Sequence, residues 1–157
     1  MIEQIYNYFA IDVLYMWVNI GVLPFWLLIL FFPQSHLCKY VATSIFPILL
    51  LTGAYIFILY KAYLGSFDFV NNFSLYLGLI YISELFKNDY YLLIFWIHFV
   101  SINLFVGGWI LKDSQKLLIN KILLAFPLII TYLIGPMGIL VYWIIRIFYA
   151  KNLNLYD

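Results

Sequence analysis

The stretch Tyr91 to Leu111, YLLIFWIHFVSINLFVGGWIL, decides how this chain folds. It contains no Asp, Glu, Lys or Arg, and its length suits the ~20 apolar residues that a helix needs to cross ~30 Å of hydrocarbon. Three further runs are also long and mainly apolar: Ala10 to Phe32, Tyr40 to Tyr60 and Ile122 to Tyr149. The whole chain of 157 residues is 67% hydrophobic and 10% charged, with a mean hydropathy of +1.03. A soluble domain of this size has too much surface to hide so much apolar area. The expected fold is therefore all-α, one integral membrane domain over residues 1–157 with about four transmembrane helices, spanning roughly 10–32, 40–60, 91–111 and 122–149.

Between the second and third runs lies a weaker segment, Phe73 to Phe86, flanked by Asn71 and Asn72 on one side and by Lys87, Asn88 and Asp89 on the other. At ~1.5 Å per residue it reaches only ~20 Å, so it is expected to be a short interfacial or re-entrant helix. The first residues carry Glu3 and Asp12 but no Lys or Arg, unlike a secretory signal, so the first run is expected to be retained. Tyr6, Tyr8, Tyr15 and Trp17 near one end of the first run, and Tyr142, Trp143 and Tyr149 near the end of the last, read as interfacial anchors. Arg146 reads as a side chain snorkelling to the headgroups.

Charge excludes some partners and leaves orientation open. Eight Lys and Arg against seven Asp and Glu give a net charge of +1, with no basic face for nucleic acid. Four spans put Lys61, Lys87, Arg146 and Lys151 on one side and Lys39, Lys112, Lys116 and Lys121 on the other, a tie under the positive-inside rule. The tight cluster Lys112, Lys116 and Lys121 favours a cytoplasmic position for its loop. Cys38 is the only cysteine, so no intrachain disulfide forms.

Each run places polar or helix-breaking residues near its middle: Asn19, Gly21 and Pro24 in the first, Thr52 and Gly53 in the second, His98, Ser101 and Asn103 in the third, and Gly135-Pro136 in the last. Pro136 removes a backbone donor and kinks its helix, while Gly135 and Gly138 allow close approach. With Thr131, these residues are expected to line a small polar pocket at the membrane midplane. Ser, Thr and Asn in membrane helices also serve as interhelical glue worth about 0.6 kcal/mol each, and that plainer reading suits Ser101, Thr52, Thr131 and Gly107. An ionisable side chain at the midplane is costly, so His98 is read as functional, an acid or base. On a helical wheel His98 shares a stripe with Ser101, Phe105, Gly108 and Trp109, whereas Trp96, Asn103 and Gly107 lie on another face. Groups on two faces place this helix at the centre of the bundle. His36 and His98 have no further ligand at metal-site spacing, and no phosphate-loop, nucleophile-elbow or zinc-protease motif occurs. No metal or other cofactor is expected.

The stretches VNIGVLPFWLLILFFP (Val18 to Pro33), WIHFVSINLFVGGWILKDS (Trp96 to Ser114) and FPLIITYLIGPMGILVYWIIR (Phe126 to Arg146) together resemble the abscisic acid-deficient 4-like membrane proteins, a family named for a plastid protein needed to make neoxanthin. The resemblance rests on Asn19, Pro24, Trp26, His98, Phe105, Val106, Gly107, Trp109, Asp113, Gly135, Pro136 and Gly138. It implies a carotenoid or other isoprenoid ligand, with His98 and Asn103 as catalytic candidates and Asn19, Ser101, Gly107, Trp109, Thr131, Gly135, Pro136 and Gly138 around the ligand. Two positions depart from the family pattern, since Asn103 stands where the family has an acid and Gly108 where it has an arginine, as if a charge pair had been replaced. Opening an epoxide to an allene needs a proton donor and a proton acceptor, and an amide cannot titrate.

Two functions therefore remain open: an enzyme isomerising a carotenoid-like isoprenoid, or a non-enzymatic lipid-binding, scaffold or assembly protein with a membrane-protein partner. The expected setting is among membrane lipid in a bacterial inner membrane, with a plastid membrane as the alternative.

Overall fold

The computed structural model describes residues 9–64 and 76–151. Tyr6, Tyr8 and the start of the Phe73 to Phe86 segment lie outside the described residues. All regular structure among the described residues is helical: α1 (Ile11–Phe31), a π-helical turn (Cys38–Ala42), α2 (Phe46–Leu64), α3 (Leu79–Leu85), α4 (Asp89–Lys116), α5 (Lys121–Leu133) and α6 (Gly135–Ala150). Three of these, α1, α2 and α4, are long and apolar enough to cross a membrane, and α5 and α6 are shorter apolar helices. The protein is an all-helical integral membrane protein.

Local chemistry fixes where the helices begin and end. Pro33 follows α1 closely, and the residue before a proline is driven out of the helical region, so α1 stops at Phe31. The Ser44 hydroxyl accepts from the Phe46 N–H at 3.1 Å, and Pro47 occupies the first turn of α2, where its missing N–H does no harm. The turn before α2 begins with the N–H of Cys38 donating to the Ser35 hydroxyl at 3.0 Å. α4 starts after Asn88, whose side chain accepts from the Tyr90 N–H, and carries Asp89 in its first turn and Lys116 in its last, complementing the helix dipole. It ends where Leu118 takes a left-handed conformation with φ of 53°, while the N–H of Ile119 reaches back to the Ser114 carbonyl. Its 28 residues rise ~42 Å, longer than a bilayer core, so it projects from the membrane or tilts within it.

The described residues fall into two compact units, one drawn from 9–21, 49–64 and 76–99 and the other from 22–48 and 100–151. The first unit buries Val18, Leu51, Ile58, Leu93 and Ile97. The second buries Val22, Trp26, Ile29, Leu104, Ile110, Leu128 and Tyr142. Along α4 positions 93, 97, 100, 104, 107, 111 and 114 are buried in alternating steps of four and three, the seam expected of left-handed helix packing, and 103, 108, 110 and 113 widen the buried face in its second half. One face of α4 is therefore buried and the opposite face, with Phe95, His98, Ile102 and Phe105, is exposed.

The last apolar run differs most from its reading as one kinked span. It is two helices of 13 and 16 residues, separated at Ile134, whose φ of −143° and ψ of 81° are not helical. A continuous helix would press the Pro136 ring into the carbonyl of Tyr132, and ending α5 at Leu133 removes that clash. The new helix begins with Pro136 in its first turn, and the N–H groups of Met137 and Gly138 donate to the Ile134 carbonyl at 3.0 and 3.2 Å. Among the described residues before α4 lies the seven-residue α3, all of it at least partly exposed.

Candidate functional site

The expected pocket residues separate into several environments. In the first unit, Asn19 does not line a cavity alone: its Oδ1 accepts from Trp96 Nε1 at 3.2 Å, and its Nδ2 donates to the Tyr15 carbonyl at 2.7 Å. The amide thereby locks an indole from α4 to α1. His98 is exposed and Ser101 is half-buried, so the histidine is not enclosed with Asn103. Thr52, near the middle of α2, is also exposed.

The second unit gathers the remaining residues. Asn103 is 4% exposed and lies against Gly135, where any Cβ would overlap its Oδ1. Its Nδ2 is buried without a hydrogen-bond partner among the described residues. An unmet amide donor away from water costs about 1–3 kcal/mol, which makes this atom stand out in an otherwise satisfied interior. Gly135 opens α6, so the amide sits at the break between the two short helices. Gly138 packs on Thr131, and a Cβ there would overlap the Thr131 hydroxyl and backbone. The Thr131 hydroxyl donates to the Pro127 carbonyl at 2.8 Å, so it needs no other partner. Pro136 itself is exposed. Gly107 is the seat of the Trp26 ring, which a Cβ would meet at 2.6 Å, and Trp26 also packs edge-on against Tyr132 at 5.3 Å.

Asn103 and Gly108 face different segments. The first meets Gly135, whereas the second is nearest Thr43 and has room for a Cβ. Gly108 forms part of a groove of about 220 Å³ lined also by Thr43, Pro47, Leu104, Phe105, Trp109 and Lys112. The two replaced positions thus do not form a direct pair in this chain.

A second polar centre was not anticipated as a unit. Asp113 Oδ2 accepts from Tyr142 Oη and from Arg146 Nε, both at 2.7 Å. Arg146 is 1% exposed and Tyr142 fully buried, which corrects their readings as a snorkelling cation and an interfacial anchor. Trp109 meets Tyr142 edge-on at 5.8 Å and stacks on Trp143 at 6.3 Å, while the guanidinium lies 5.1 Å from the Trp143 ring centre. Two pairs spaced four apart, Trp109 with Asp113 and Tyr142 with Arg146, supply this cluster. That spacing was visible in the sequence, but which helices face each other was not. Among the described residues no group of three or more His, Cys, Asp and Glu could hold a metal ion.

Long apolar helices, a helix broken within an apolar run and a buried acid–phenol–guanidinium centre define a multi-pass helical membrane protein with a polar interior. The family model described as ABA DEFICIENT 4-like matches residues 13–142, and the chain belongs to that family. No curated protein and no solved structure matches it at a significant level.

Proposed function

We propose that this protein binds a long, oxygen-bearing isoprenoid of the carotenoid kind within the bilayer, and that it holds the molecule rather than isomerises it. The observation that carries this reading is the Asn103 amide at the α5–α6 break, whose buried Nδ2 has no hydrogen-bond partner among the described residues. A hydroxyl, epoxide or carbonyl oxygen placed there would accept that hydrogen bond and offset the desolvation of the donor. Family membership supports the ligand class. Isomerisation needs a titrating acid and base near the same atoms. Asn103 does not titrate and His98 is exposed in the other unit, so binding is the better supported activity. The proposed setting is the inner membrane of a bacterium, with a plastid membrane as the alternative.

The test is to purify the protein in detergent from a host that makes xanthophylls and to identify the co-eluting lipid by absorbance and mass spectrometry. Retention of an oxygenated isoprenoid supports the reading, and protein saturated with phospholipid alone contradicts it.

One observation favours a second, non-enzymatic role in assembly. His98 is exposed on a membrane-crossing helix, where an uncovered ionisable group is costly. A membrane-protein partner contributing a polar group would relieve that cost. Cross-linking from a photoreactive residue at position 98 in native membranes tests it, with adducts to lipid alone counting against a partner.

A further inference from the structure

The first unit contains a groove that the isoprenoid reading does not use. Its volume is about 490 Å³, within the ~300–1,000 Å³ range of small-molecule pockets. Four aromatic side chains line it: Tyr15, Phe86, Phe95 and Trp96. They form two ring pairs, Tyr15 with Trp96 at 5.9 Å and Phe86 with Phe95 at 5.0 Å. The indole is held in place by its hydrogen bond to Asn19, so this wall is set before any ligand arrives. Ile11, Leu92 and Leu93 add aliphatic surface, Asp12 and Asp89 add two carboxylates, and no Lys, Arg or His lines it among the described residues.

Each aspartate sits in the first turn of its own helix, where a carboxylate favourably meets the helix dipole. That accounts for either one alone. Yet both carboxylates, exposed and from different helices, line one aromatic groove, and neither is in an ion pair among the described residues. Lys87, two residues before Asp89, is already paired with Glu84 at 2.5 Å. Aromatic faces and carboxylates attract the same kind of ligand, since both present negative potential to a charge delocalised over an apolar body.

We infer that this groove binds a lipophilic organic cation, a quaternary or protonated ammonium or a phosphonium carried on hydrocarbon. The aromatic wall takes the apolar body and the face of the positive centre, and Asp12 and Asp89 supply the countercharge. Such a cation can be a lipid headgroup amine or a free amphiphile, which share this chemistry.

The experiment uses full-length protein in neutral detergent and measures saturable binding of radiolabelled tetraphenylphosphonium by equilibrium dialysis. Saturable binding is expected, with each of Asp12→Asn and Asp89→Asn weakening it by about twofold to fivefold, and the double change by about tenfold, in keeping with partly solvated charge pairs. Asp12→Glu and Asp89→Glu should restore it, and melting curves for all variants should stay close to that of the parent. Competition by tetramethylammonium, which lacks an apolar body, should be weak. Displacement by dodecyltrimethylammonium but not by phosphatidylcholine-containing micelles identifies a free amphiphile, and displacement by both identifies a headgroup amine; either supports the inference. Equal binding of the isosteric anion tetraphenylborate, or unchanged phosphonium binding in a folded double variant, would overturn it. Neither result bears on whether Asn103 holds an isoprenoid, because the groove and Asn103 belong to different units.

Discussion

Arg146 shows how a single residue can be misread from its neighbours. In sequence it follows an apolar run near the end of the last helix, where snorkelling is the natural expectation. In the structure it is 1% exposed and bound to Asp113, which is itself held by Tyr142. Removing one partner of a buried pair strands the other charge, so Asp113→Asn should destabilise the protein by about 3–5 kcal/mol. The double change Asp113→Leu with Arg146→Met should recover most of that loss, because replacing both charges removes the desolvation cost. Thermal or denaturant melts in detergent check both. Gly135→Ala makes a similar point sterically. Its Cβ would overlap Asn103 Oδ1, and a loss of about 1–3 kcal/mol is expected, relieved when Asn103→Ala is added. Cys38 offers a chemical probe of the same interior. It is fully buried, and burial pushes its thiol above the ordinary range, so at neutral pH the thiolate fraction is small. Maleimide labelling of the native protein should be slow and should accelerate on unfolding.

Individual elements were legible where breakers and hydrophobic length act locally. The first run ends next to Pro33, and the Gly135-Pro136 pair marks the break in the last run. The size of that break was not legible, because whether a proline kinks a helix or divides it depends on what packs beside it. Here Asn103 fills the space at Gly135, and Gly138 closes on Thr131. Spin labels at Leu123 and Ile144, both exposed, test the geometry in a Cys38→Ala background. A straight helix would put their backbones ~31 Å apart, and two helices meeting at Ile134 should give a clearly shorter distance. A value near ~31 Å would mean that the run is continuous. Which face of α4 is buried was also hidden from the sequence. In lipid the outward side chains are as apolar as the inward ones, so the pattern carries little phase information. His98 and Asn103 were equally polar candidates, and only packing shows the first exposed and the second enclosed.

For the whole molecule, composition alone indicated a helical membrane protein, and motifs spread along the chain pointed to its family, which the match over residues 13–142 establishes. The candidate site was only partly visible. Asn103, Gly135, Thr131 and Gly138 do come together in one unit, whereas His98 and Asn19 belong to the other. The Asp113 centre needed a pairing across 29 and 33 residues that no local pattern specifies. The central claim is that Asn103 Nδ2, without a partner among the described residues, meets an oxygen of a bound isoprenoid. The most direct measurement is the shift in melting temperature caused by an oxygenated xanthophyll compared with that caused by β-carotene, which has the hydrocarbon but no oxygen, in the parent protein and in Asn103→Leu. The account predicts that the xanthophyll stabilises the parent more than β-carotene does, and that Asn103→Leu, folded and at least as stable without ligand, abolishes the difference. Equal stabilisation by both molecules in the parent, or a xanthophyll preference that survives Asn103→Leu, would contradict it.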